Sequence, residues 1–166
     1  MSLREAGIPV VNFAKIIKKK VNDRDEFVIV MEDLTENGKL KVVEIGNLEF
    51  VKGFTLSFEM KEDIVKSLAQ IHNMGIFDYH PGISFVVRFE SKEDEIKVID
   101  FKIIDYANFA TLAQAKEWEN IGESVQKNFE DEFKSDLNIV LKSITDDPSE
   151  ISNLTNLYEE HRRYVE

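Results

Sequence analysis

Apolar residues recur along this chain at two spacings, and the spacing changes where the secondary structure should change. Met60, Ile64, Val65, Leu68 and Ile71 lie three or four apart, which predicts one face of a helix. Ser57 stands where an N-cap is wanted and Gly75 where the helix must stop. Leu112, Ala115, Trp118, Ile121, Val125 and Phe129 predict another helix, and Leu137, Val140 and Ile144 a further stripe. Asp147-Pro148-Ser149-Glu150 reads as the start of a last helix, with an acidic cap, Pro at the first position and Glu at the third. Ile151, Leu154, Leu157, Tyr158, His161 and Val165 supply its apolar face.

Elsewhere the pattern is that of strands. Arg4 to Val11 reads as a helix end, a Gly stop and an entering strand with Pro9 at an edge, continued by Phe13 to Val21. Asn22 to Asp25 predicts a turn. Phe27 to Met31 is five apolar residues in a row, the pattern of a strand buried on both faces. Residues 39–56 alternate loosely around Gly46 and Gly53, as a strand or irregular insert does. Ile83 to Phe89 and Ile96 to Ile104 flank the polar run Glu90 to Asp94, which predicts a hairpin whose second strand ends in Asp100 and Asp105. The fold class expected is α+β, mostly helical with a small β-hairpin, in one domain: strands and insert over 1–56, and a helical lobe over 57–166 containing the hairpin at 83–104.

Composition narrows the function classes. The chain has 166 residues and no Cys, which excludes disulfides, thiolate zinc sites and a thiol nucleophile and suits a cytoplasmic setting. Its formal charge of -11 argues against a nucleic-acid or anionic-membrane binder. The basic run Lys18-Lys19-Lys20 precedes Asp23, Asp25 and Glu26 and reads as a solvated turn. No apolar run approaches the ~20 residues of a membrane span, and no secretory leader is visible.

Several short motifs then fall in a telling order. Leu68-Ala-Gln-Ile-His72-Asn-Met-Gly75-Ile76 closes the first long helix, a loop carries Asp78, His80, Pro81 and Gly82, and the hairpin leads to Val98-Ile-Asp100-Phe101. Upstream, Phe27-Val-Ile-Val-Met-Glu-Asp-Leu-Thr-Glu-Asn-Gly38 has the form of a hinge. Together these resemble the catalytic half of the protein-kinase-like superfamily, and most closely the CHK-like (ecdysteroid-kinase-like) branch of the aminoglycoside phosphotransferase and choline kinase group. The resemblance spans roughly residues 4 to 135 and implies a kinase-like C-lobe preceded by remnant hinge strands.

The resemblance also implies roles. Asp78 and His80 would lie in the catalytic loop as acid or base, Glu32 and Asp33 at the adenine-facing hinge, and Asp100 and Asp105 near magnesium, which prefers carboxylate oxygen. The bland alternatives are a strand-end carboxylate capping a turn for Asp100, solvated acids for Glu32 and Asp33, and an ordinary turn at His80-Pro81-Gly82. His72 reads as a helix-end His that bonds carbonyls.

Departures from the family pattern shape the functional reading. The loop Asn that holds a second magnesium falls on Phe85 or Ile83, depending on register. In the metal segment the family Gln, Gly and Pro become Lys102, Ala107 and Phe109. No Gly-rich phosphate loop or phosphate-holding strand Lys precedes the hinge, so the chain is expected to be a reduced kinase-like protein or a piece of one. The leading expectation is a degenerate phosphotransferase-like protein, inactive alone, needing no cofactor, and acting through a partner, a ligand or self-association. The alternatives are the C-terminal lobe of an active small-molecule kinase, using Mg and ATP on a hydroxyl, and an unrelated α+β interaction domain. Strands 8–17 and 27–31 are expected to leave an open edge, filled by self-association or by residues 39–56 folding over it.

Overall fold

The computed structural model describes residues 3–21, 24–78, 81–92, 95–104, 109–111 and 129–162. Asn22, Asp23, His80, Asp105, Val165 and the stripe from Leu112 to Val125 lie outside them. In chain order the elements are β1 (Phe13–Val21), β2 (Arg24–Met31), β3 (Lys41–Glu44), a 3-10 helix (Ile45–Phe50), α1 (Phe58–Asn73), β4 (Ile76–Asp78), the helical turn α2 (Pro81–Ser84), β5 (Phe85–Lys92), β6 (Glu95–Ile103), β7 (Phe109–Thr111), α3 (Phe129–Ile144) and α4 (Pro148–His161). The architecture is mixed α+β. Among the described residues, an antiparallel sheet of order β3-β5-β6 is accompanied by two strand pairs, β1-β2 and β4-β7. No helix among the described residues is long and apolar enough to cross a membrane.

Local chemistry sets the helix ends. The Ser57 hydroxyl accepts the Met60 N–H at 3.2 Å and opens α1. Gly75, at φ +69°, takes the left-handed turn that lets the chain leave α1 for β4. Asp147 accepts the Ser149 N–H at 2.8 Å, with Pro148 starting α4. The helices then cover one face of the three-stranded sheet. Ile64, Leu68 and Ile71 of α1 join Phe85 and Val87 of β5, Phe101 and Ile103 of β6, Val140 and Leu141 of α3, and Leu154 of α4 in one buried cluster. Each such side chain contributes about 1.5–3 kcal/mol on burial.

The N-terminal strands differ from expectation. Arg24 and Asp25 belong to β2, paired with Val21 and Lys20, so the connection is tighter than four residues. Met31 is 39% exposed and Val30 half-buried, so the apolar run is not covered on both faces at its end. β2 pairs only with β1, in a two-stranded sheet. Within residues 39–56, β3 adds to β5, and the 3-10 helix packs on α3. Pro9 does lie beside a strand edge. Its carbonyl accepts the Ile103 N–H at 3.0 Å, and Ile103 in turn accepts from Val11.

The His72 ring reaches side chains of other helices. It is buried where α1, α3 and α4 meet, with Nδ1 2.5 Å from the Tyr158 hydroxyl and Nε2 3.2 Å from Asp136. Arg162 donates to the same hydroxyl at 3.1 Å and lies over the Phe133 ring. With Nδ1 as the acceptor, a directed chain forms: Arg162 donates to Tyr158, Tyr158 to Nδ1, and Nε2–H to Asp136. Tyr158→Phe withdraws the shared hydroxyl and should cost about 1–2 kcal/mol. Urea unfolding checks this as a lower midpoint at unchanged slope.

A second tie joins α1 to α4. The buried Lys61 ammonium meets Glu150, whose carboxylate also accepts the Thr145 hydroxyl at 2.6 Å. These hydrogen bonds, Lys61 first, hold the Glu150 carboxyl below its ordinary value of 4.5. The stabilisation is therefore complete above that value and is lost as the pH falls through the lower folded one. Urea midpoints measured between about pH 7 and about pH 3 should fall less for Glu150→Gln than for the native chain.

Candidate functional site

One extra residue in the hairpin decides how its polar side chains meet. From the turn, Lys92 pairs with Glu95, Ser91 with Ile96, Glu90 with Lys97 and Phe89 with Val98. Continued without a break, this count would set Arg88 opposite Ile99. The register shifts there, and Arg88 pairs with Asp100 instead. Ile99 is the additional residue of a β-bulge. The bulge keeps Ile96 and Val98 on the same face as Phe101 and Ile103, and it turns Asp100 to the opposite face with Arg88. Asp100 therefore does not end the strand, since β6 runs on to Ile103.

The pair so formed is two-pronged. Arg88 Nε donates to Asp100 Oδ1 at 2.6 Å, and Nη2 donates to Oδ2 at 2.5 Å. This parallel fork is the strongest geometry an arginine offers a carboxylate. The remaining nitrogen, Nη1, reaches Glu36 Oε1 at 3.3 Å. Asp100, and then the acids Glu36 and Glu32, raise Arg88 further above its already high ordinary value. Asp100 thus faces the segment that follows β2, with Arg88 between them.

That segment is a loop shaped by its own acids. Asp33 Oδ1 accepts the Thr35 N–H and hydroxyl at 2.9 and 2.6 Å, and Oδ2 accepts the Asn37 N–H at 2.7 Å. The Thr35 hydroxyl and these amides hold the Asp33 carboxyl below its ordinary value. Three successive residues, Glu36, Asn37 and Gly38, take φ of +50°, +60° and +82°. Non-glycine residues enter this region at a cost, so the Asp33 bonds and the Glu36–Arg88 contact fix a turn the backbone alone disfavours. Glu32 is tied back to Asn12, just before β1: its N–H donates to the Asn12 carbonyl at 2.9 Å, and its Oε2 accepts from the Asn12 amide. Its other oxygen is shielded from solvent without a hydrogen bond.

The loop after α1 sits at the far end of the hairpin. Asp78 closes β4, where its backbone pairs with Phe109 of β7. Gly46 and Gly82 pack backbone to backbone; a Cβ on Gly46 would lie 3.1 Å from the Gly82 carbonyl. Ile104 donates its N–H to Ser84 at 2.9 Å, so the residue before Asp105 touches the end of this loop. Asp100 stands three residues further up the strand, about 10 Å along it from Ile103. Of the six residues picked out by sequence, the structure brings Asp100 onto Arg88 and Glu32 within reach of its charge, while Asp33 is bonded to its own loop. Asp78 is placed by its backbone alone, and His80 and Asp105 lie outside the described residues. Among the described residues no three of His, Asp and Glu are grouped to hold a metal ion.

Sequence reasoning passed over Arg88, Glu36 and Asn12. The available signal was Arg88 itself, a cation in the apolar run Phe85-Val-Val-Arg-Phe89 and opposite in sign to a nearby strand acid. Arg88→Ala and Asp100→Asn should each destabilise by about 1–2 kcal/mol, less than a fully buried pair because Asp100 is partly exposed. The double variant should lose about 1 kcal/mol less than the sum, which a urea double-mutant cycle measures.

Compared with protein-family models, with curated proteins and with solved structures, the chain matches none of them.

Proposed function

We propose that this chain carries the catalytic-lobe framework of a CHK-like kinase and works by binding a partner or ligand, not by transferring phosphate itself. The order of elements supports the framework: α1 ending in His72 and Gly75, a short strand, the loop at 78–84, the hairpin β5–β6, and β7 returning to pair with β4. The observation that carries the loss of chemistry is the Arg88 fork on Asp100. In the kinase-like reading a cation belongs beside this acid, because magnesium offsets the phosphate charge. Here the cation is part of the protein and engages both carboxylate oxygens. Of the hinge acids, Asp33 spends its oxygens on its own loop, and Glu32 gives one oxygen to Asn12.

A second reading, phosphoryl transfer from MgATP to a hydroxyl, is favoured by one contact. The Ile104–Ser84 hydrogen bond brings the chain to the loop one residue before Asp105. In this reading the metal acid is Asp105 and not Asp100.

Calorimetric titration with MgATP separates the two. The binding reading predicts no association tighter than about 1 mM, or about -4 kcal/mol. Binding in the low micromolar range, about -8 kcal/mol, that Asp105→Asn abolishes and Asp100→Asn spares would replace it by the second reading.

A further inference from the structure

We infer that the groove across the hairpin end of the β3-β5-β6 sheet is a docking site for an acidic protein segment with an aromatic or aliphatic anchor. The groove encloses about 740 Å³ between the sheet face and the stretch that follows the 3-10 helix. Phe50, Phe89 and Ile96 form its apolar walls, and Lys41 and Lys52 stand at its rim. Three features select the occupant. Phe50 is 75% exposed, a large aromatic side chain left in water beside two partly or fully buried apolar ones. Such a surface suits an anchor residue that a partner inserts. Phe89 is fixed from below by Phe54, edge-on with ring centroids 5.3 Å apart, so the floor is preformed and ordering it costs little on binding.

Charge supplies the third feature. The chain carries 32 acidic against 21 Lys and Arg residues, yet the described lining of this groove contains two lysines and no acid. At close range the two lysines orient an acidic segment there, where the rest of this acidic chain would repel it. Both lysines are exposed, so their ammonium groups are free to swing onto the partner's carboxylates. The site lies at the opposite end of the hairpin from the 78–84 loop. The inference therefore stands or falls separately from the kinase-like reading.

The test is selection of random heptapeptides displayed on phage against the whole chain, followed by fluorescence anisotropy of the labelled consensus peptide. The expected consensus has an aromatic or aliphatic centre flanked by Asp or Glu. Phe50→Ala and the double reversal Lys41→Glu with Lys52→Glu should each weaken it at least tenfold. These residues are exposed, and circular dichroism of each variant should match the native chain. Sedimentation of the native chain at micromolar concentration completes the test and should give a monomer. No enriched sequence, a basic or uncharged consensus, or affinity unchanged in these variants would overturn the inference. So would a dimer that Phe50→Ala dissociates, because the groove would then belong to a second copy.

Discussion

The extra residue at Ile99 is the constraint on which this molecule's polar architecture rests. A sheet has a side-chain period of two, so one inserted residue exchanges the faces of everything beyond it. In β6 the insertion keeps four apolar residues, Ile96, Val98, Phe101 and Ile103, on the helix-covered face. The same step sends Asp100 to the other face, directly across from Arg88. Core and ion pair are thus set by one irregularity. A regular hairpin would have offered Arg88 an isoleucine and placed Asp100 among the core residues.

From that pair the order spreads outward. Arg88 carries Glu36 with it, and Glu36 sits in a turn with three successive positive φ values. Asp33 holds the turn from its other side through two backbone amides. The loop after β2 is therefore fastened to the β5–β6 hairpin through charge-assisted hydrogen bonds, while α1, α3 and α4 are fastened to one another by His72, Tyr158 and Lys61. The two sets of ties lie on opposite faces of one sheet. This division lets packing on one face coexist with the Arg88 fork, beside the buried Val86, on the other, across strands of eight and nine residues.

Much of the fold was legible because its determinants are local. Ser57, Gly75 and the Asp147-Pro148 pair mark helix ends through bonds that span a few residues, and the stripes Ile64 to Ile71 and Leu137 to Ile144 mark buried faces. The hairpin was legible from its polar turn. The site was less so, for two reasons. Counting back from the turn puts Arg88 opposite Ile99, and only the change of spacing between Val98 and Phe101 betrays the bulge. His72 meets Asp136 and Tyr158 across 64 and 86 residues, where no local pattern connects them. Phe50 likewise reads as an ordinary residue of an insert until the sheet beneath it is known. At the end of β2 the apolar pattern overstated burial, because Met31 stays 39% exposed although its run continues the apolar sequence.

The proposal that Arg88 takes the place of a metal at Asp100 is most directly tested by paramagnetic relaxation. Manganese, substituted for magnesium, broadens nuclear resonances near any site it occupies. With the native chain, added manganese should leave the Arg88 Nε–H resonance and the Asp100 amide as sharp as the core amides of α1, at every concentration below that which broadens the whole acidic surface. Selective broadening of those two resonances, reversed by magnesium and absent in Asp100→Asn, would show that a metal displaces the guanidinium and would contradict the account.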